Sequence, residues 1–376
     1  MDKKGISEIK KTFKPERTAI DNIVTAFISH DENGAKITSY EKSRFLAMDE
    51  AAVFKYLDIV KSTFGGKFDK NLLNVGFPFK EEQDGGAQHK LMKLRESKLN
   101  DEELVREYIQ TMADNFETGE NLLITLVHGL YDVPTKTKDN NKVDESEEVF
   151  DFVIASICPM KLEKPGIYFN PKENKFEPIT QKLVADKPVM GFMFPAFNDR
   201  QTDVHEMLFF AKKADDTHPE FINAVSGQKS PIPADVQKDI FENIIREVAG
   251  DTTFDQEKDI HDKIVEMINT RTFDNKDTKV SKKEMFGIIK DCISGENVTE
   301  SRFNEAFNTA LENYDASDFV LNNLIDANTF NVQMADVQIK VKPDRTESIE
   351  KKNVDGRAYF MIPVSGNVEI NGKVIK

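Results

Sequence analysis

The residues best able to do chemistry together lie between Lys187 and Lys213, in KPVMGFMFPAFNDRQTDVHEMLFFAKK. Two apolar runs enclose Asn198-Asp199-Arg200-Gln201-Thr202-Asp203, and His205 follows. Carboxylate and imidazole groups ligate Mg²⁺, Mn²⁺ or Zn²⁺. Asp199, Asp203 and His205 are therefore candidate metal ligands or a general base, and a divalent metal is the cofactor they would hold. Arg200 adds a guanidinium that grips a phosphate or carboxylate through two parallel hydrogen bonds. Asp203 and His205 stand two residues apart, which on a strand puts both on one face. The same residues also have a plainer use. Asp and Asn build turns, Arg200 pairs with Asp199 or Asp203, and His205 packs as a partly buried histidine.

His128 and Asp132 form a second pair. On a strand they share a face but lie about 13 Å apart at ~3.3 Å per residue. A site there needs neighbouring strands, and Asp132 meets the 199–205 loop only if their strands are adjacent. Cys158, next to Pro159, reads as an inert core thiol, with a Cys–His nucleophile using His128 or His205 as the alternative. No G-x-S-x-G is present, which argues against an α/β-hydrolase triad. Asp274 to Met285 fails as an EF-hand, with Lys279 at the sixth position and Met285 at the twelfth. Gly85-Gly86 precedes a helix but lacks the Lys-Ser/Thr of a phosphate loop, so it reads as an ordinary turn.

The elements that must position these residues follow from periodicity. Residues 6–14 read as a short helix before Pro15. Residues 19–40 read as a hairpin about Asp31-Glu32-Asn33-Gly34. Residues 41–62 follow a helical period up to Gly65-Gly66. Asn100 with Glu103 resembles a capping box for an amphipathic helix. Asn121–Asp132, Glu148–Pro159 and Pro188–Phe197 read as strands. The first two are apolar on both faces, as expected of central strands. The charge-rich Pro134–Glu148 reads as an exposed loop. Val204–Lys213 fits a strand better than a helix capped by Asp203. Helical periods carrying Ile240, Ile244, Ile245 and Val248, then Ile260–Ile268, a helix capped by Ser281 and Glu284, and Phe303–Leu311 follow a Pro-rich connection at 217–233. The tail alternates, ending in an Asn371-Gly372 turn.

The expected fold class is α+β, a mixed or antiparallel sheet flanked by helices. The expected domains are 1–230 for that sheet, 231–328 for a helical subdomain and 329–376 for a short β unit. Whether the tail strands return to the main sheet stays open.

Composition bounds the function. The chain has 376 residues and a net charge of −15, which disfavours nucleic acid and anionic membrane. Its first 17 residues are nevertheless basic, with Lys3, Lys4, Lys10, Lys11, Lys14 and Arg17, and read as the solvated side of a first helix. Two cysteines outside any CxxC spacing argue against a disulfide framework or a zinc knuckle. With no apolar N-terminal leader or spanning segment, a cytoplasmic protein is expected.

Several stretches carry a family resemblance: Ile6–Lys11, Lys70–Asn74, Tyr131–Pro134, Ile157–Pro159, Gly191–His205, and the tail from Pro343 to Arg357. Together they resemble a bacterial protein family known only as a domain of unknown function, over nearly the whole chain. The resemblance implies a bacterial origin and a complete protein, and brings no activity or site residue with it. Three functions are thus expected in order. The first is a cytoplasmic binding or regulatory protein whose partner is a protein or small ligand. The second is a metal-assisted hydrolase or phosphodiesterase-like enzyme using the Asp199–His205 loop. The third is nucleic-acid binding through a basic face.

Overall fold

A computed structural model of the chain describes all residues except 2, 33, 137–141, 165, 179–181, 215, 230, 274–277, 296, 313, 315–317, 365, 371–372 and 376. It contains two compact units, Met1–Pro233 and Ala234–Lys376.

The first unit is built on one antiparallel sheet. Its strands are β1 (Ile20–Asp31), β2 (Gly34–Arg44), β3 (Leu72–Gly76), β4 (Leu122–Lys136) and β5 (Lys142–Leu162). Two short strands, β6 (Ile167–Asn170) and β7 (Lys175–Pro178), pair as a separate hairpin, and β8 (Leu183–Ala185) pairs with β5. The set continues with β9 (Met190–Phe194), the hairpin β10 (Ala196–Asn198) and β11 (Gln201–Asp203), and β12 (Glu206–Ala211). The main order is β2-β1-β4-β5-β9-β12-β3, every pairing antiparallel.

Both faces of this sheet are covered. Leu126, Ala155, Phe192 and Phe209 pack with α3 (Ala87–Glu96), α4 (Glu102–Asp114) and α5 (Pro219–Ser226). Val127, Ile154, Met193 and Leu208, one residue out of phase, pack with α1 (Lys3–Lys10) and α2 (Glu50–Thr63). Period-2 alternation between two helical layers is why the central strands are apolar at almost every position. Phe152 and Phe192 are almost wholly buried, one in each core, and such burial contributes roughly 1.5–3 kcal/mol per ring.

Several expected boundaries move. The strand β2 runs to Arg44, and α2 begins only after Asp49, whose carboxylate accepts from the Ala51 amide. Phe45 is buried in a 3-10 turn, Phe45–Ala47, so its apolar character belongs to the core and not to a helical period. The cap of α4 is Asp101, not Asn100. The stretch expected as a loop at Pro134–Glu148 is mostly a continuation of β4 and β5, pairing Thr135 with Val143 and Lys136 with Lys142. Main-chain pairing needs no apolar side chains, so a polar ribbon gives no strand signal. Residues 137–141 lie outside the described residues. The strand reading of Val204–Lys213 holds for β12.

The second unit contains α6 (Ala234–Ala249), α7 (Phe254–Phe273), α8 (Lys282–Cys292), α9 (Glu300–Ala310) and the short α10 (Leu321–Leu324). Ile240, Ile244, Ile245 and Val248 are buried as one stripe of α6. The capping box of Ser281 and Glu284 opens α8 as expected. Residues 274–277, the start of the rejected EF-hand, lie outside the described residues. The tail forms separate two-stranded hairpins at 330–341, 350–361 and 368–375, none of which joins the main sheet among the described residues. The Asn371-Gly372 turn is outside them as well.

Candidate functional site

Pro195 separates β9 from β10, as expected of a residue with no amide hydrogen for a ladder. The polar stretch after it is a tight hairpin. Asn198 pairs with Gln201, and the two central residues, Asp199 and Arg200, have φ of +48° and +65°. Two left-handed residues in a two-residue loop make a type I′ turn. Asp tolerates that region; Arg pays about 1–2 kcal/mol for it. The Arg200 side chain offsets the cost. Its Nη1 donates to both Glu8 oxygens at 2.6 and 2.7 Å, and its Nη2 donates to the Pro134 carbonyl at 2.5 Å. The Tyr131 hydroxyl donates to the same Glu8 at 2.9 Å. Burial first, and then this bond to Glu8, push the Tyr131 phenol well above its ordinary value, so it stays a protonated donor.

The other candidates do not gather there. Asp199 is exposed at the hairpin tip. Asn198 Nδ2 donates to Asp203 Oδ2 at 2.6 Å and to Glu206 Oε2 at 3.1 Å, while Asp203 Oδ1 accepts the His205 amide at 3.0 Å. Both Asp203 oxygens therefore serve the turn. The expected pairing of Asp203 and His205 on one strand face is not formed, because Val204 and His205 are the turn between β11 and β12. His205, 68% exposed, instead sets its Nδ1 2.8 Å from Glu82 Oε1, and that hydrogen bond raises its pKa.

His128 is fully buried on β4. Its Nε2 lies 2.9 Å from Asp151 Oδ1, and its Nδ1 lies 3.8 Å from Asp21 Oδ2. The two carboxylates meet opposite sides of the ring, so they do not converge on one point. Cys158 is buried, and burial pushes its thiol up to about 12, which leaves it a poor nucleophile. The amide of Ala87, at the start of α3, is already taken by Glu81 Oε2 at 3.0 Å, so the Gly85-Gly86 turn is closed by the protein's own carboxylate. Among the described residues, no group of three or more His, Cys, Asp or Glu side chains is placed to hold a metal ion.

What does gather is a cleft of about 1050 Å³ beside α1. It brings two of the candidates, Arg200 and Asp132, together with Lys3, Lys4, Ser7, Glu8, Lys11 and Arg17, against a less polar wall of Ala19, Leu130, Tyr131 and Pro134. The helix explains the arrangement. Ile6 and Ile9 face the core, Lys4 and Ser7 at i and i+3 fall on the opposite side, and Lys11 follows in the turn after the helix. Among the described residues, Lys3, Lys4, Lys11 and Arg17 form no ion pair with a carboxylate. Lys10 behaves differently, donating to the Phe64 carbonyl at 3.0 Å. Five cations against Glu8 and Asp132 make the described lining net positive in a chain of −15. The sequence showed this basic segment only as a helix surface. Its signal, lysines on the side opposite Ile6 and Ile9, was legible, but the wall supplied by β4 and the β10–β11 hairpin was not.

No helix among the described residues is long and apolar enough to cross a membrane. A model of the family described as a domain of unknown function, DUF4317, matches residues 1–373. No curated protein matches the chain.

Proposed function

We propose, for a chain that belongs to the DUF4317 family, that it is a binding protein for a small anionic ligand held in the α1 cleft, acting without catalysis in the cytoplasm. The observation that carries this reading is the set of cations without carboxylate partners on a concave surface. Cations that line one cleft raise its local potential, and a ligand anion relieves it. The clamp of Arg200 on Glu8 fixes the far wall, so the site is largely formed before ligand arrives. Two free thiols agree with a reducing compartment.

The metal-dependent hydrolase reading has less support. Asp203 is committed to a turn, His205 to Glu82, and Asp199 stands apart from both.

Calorimetric titration of the full chain with pyrophosphate at low salt tests the binding reading. Saturable binding is expected, weakened at least about ten-fold in the Lys4→Gln/Lys11→Gln double variant by loss of two charge-assisted contacts. Equal binding by that variant would remove the cleft from consideration.

A further inference from the structure

We propose that the ligand is a small organic molecule carrying two or more phosphate groups in line, laid along α1 with its uncharged part on the opposite wall. This rests on the anion-binding reading of the same cleft and goes further in naming the ligand's shape and chemistry.

Three observations point to it. The first is placement. Lys4 lies on α1 and Lys11 in the turn one residue past its end, and both line the cleft together with Ser7, which falls between them in the chain. A chain of phosphates can meet Lys4, Ser7 and Lys11 together. The second is which charges are available. Arg200, the residue best shaped to fork a phosphate, already has its Nη1 on both Glu8 oxygens and its Nη2 on the Pro134 carbonyl. The ligand's anionic groups therefore belong on the α1 side, where Lys3, Lys4, Lys11 and Arg17 lack carboxylate partners. The third is polarity. Leu130, Tyr131, Ala19 and Pro134 offer a mostly apolar surface facing those cations, suited to a sugar, base or acyl part and useless to a bare inorganic anion. A cleft near 1050 Å³ lies at the upper end of small-ligand sites, far more than one phosphate fills. A chain of net charge −15 is poorly matched to a nucleic-acid duplex, which needs charge along many phosphates.

The test is a calorimetric series on the full chain with orthophosphate, pyrophosphate, tripolyphosphate and adenosine triphosphate at fixed ionic strength. Affinity is expected to rise by about ten-fold or more from orthophosphate to tripolyphosphate as charge-assisted contacts accumulate. Adenosine triphosphate should bind at least as tightly as tripolyphosphate. Lys4→Gln and Lys11→Gln should each lower tripolyphosphate affinity about five-fold, since each removes one such contact. Orthophosphate should be sensitive to at most one of them. Lys55→Gln, the same charge change on exposed α2, should alter nothing. Equal affinities along the series, with both cleft variants still weakened, would overturn the in-line phosphate ligand and leave anion binding standing. No saturable binding of any probe would overturn both. Tighter binding of a twenty-base-pair duplex than of tripolyphosphate would overturn the small-ligand claim. Equal loss in Lys55→Gln would mean a diffuse field and no site.

Discussion

The Asn198–Glu206 segment and helix α1 are both dense in polar side chains, and they use them in opposite ways. In the hairpin, Asn198, Asp203 and Glu206 bond to one another and to the backbone, and Arg200 is held at three acceptor atoms. On α1 and just past its end, Lys3, Lys4 and Lys11 reach no carboxylate among the described residues. The hairpin looks more like a site in one dimension because its residue types are chemically diverse. In three dimensions that diversity is consumed by a turn with two left-handed residues. The monotonous lysine face keeps its capacity to bind. Availability, measured by which polar atoms remain unpartnered, separates the two better than residue type does.

The largest effect that would break this comparison is at Arg200. Replacing it with Ala leaves Glu8, only 21% exposed, without its bidentate partner, and the loss should be about 2–3 kcal/mol, toward the lower side of figures for fully buried pairs. Urea denaturation gives the measurement. A loss under about 0.5 kcal/mol, the scale of a solvated pair, would mean that Arg200 is free for ligand after all. Arg200→Lys keeps the charge but not the two nitrogens that serve Glu8 and the Pro134 carbonyl at once, and should recover less than half of the stability.

Next in size is Asp203→Ala, which removes the acceptor of both Asn198 and the His205 amide. About 1–2 kcal/mol of destabilisation is expected, with no change in response to Mg²⁺, Mn²⁺ or Zn²⁺. A divalent cation that stabilises the natural chain and not this variant would restore the metal reading of the loop. By contrast, Lys4→Ala and Lys11→Ala should change stability by no more than about 0.5 kcal/mol, as exposed substitutions do, while weakening pyrophosphate.

These contrasts also show where sequence reasoning stops. Asn121–Asp132 and Glu148–Pro159 declared themselves as central strands because both faces meet a core. The α+β class, with a mixed or antiparallel sheet, followed from them. The β10–β11 hairpin is hidden in the sequence because its strands are three residues each, too short for a period, although Asp199 is of a type that tolerates positive φ. Asp132 and Arg200 both line one cleft, through β4 and a hairpin docked where the Thr202 amide donates to Glu148 at 2.9 Å. No local pattern encodes that meeting of segments 68 residues apart in number between Asp132 and Arg200. The lysines of α1 are visible in the sequence and read as solvated, since a helix surface and a cleft wall have the same sequence until the opposite wall is known.

The smallest effect concerns His205 and gives the comparison its pH signature. The hydrogen bond and charge of Glu82 raise the imidazole's pKa in the folded chain. A group whose pKa is raised on folding contributes its stability in full below the ordinary value of about 6.5, and that contribution is lost as pH rises through the raised value. Because the ring is 68% exposed, solvent screening keeps the contribution within about 0.5 kcal/mol. Comparing the melting temperature of the natural chain with that of His205→Gln at pH 6 and pH 9 should show a small deficit at pH 6 that vanishes at pH 9. A deficit that persists at pH 9 would show that His205 works as a neutral group there, as a ligand or base would, and would reopen the hairpin as a site of chemistry.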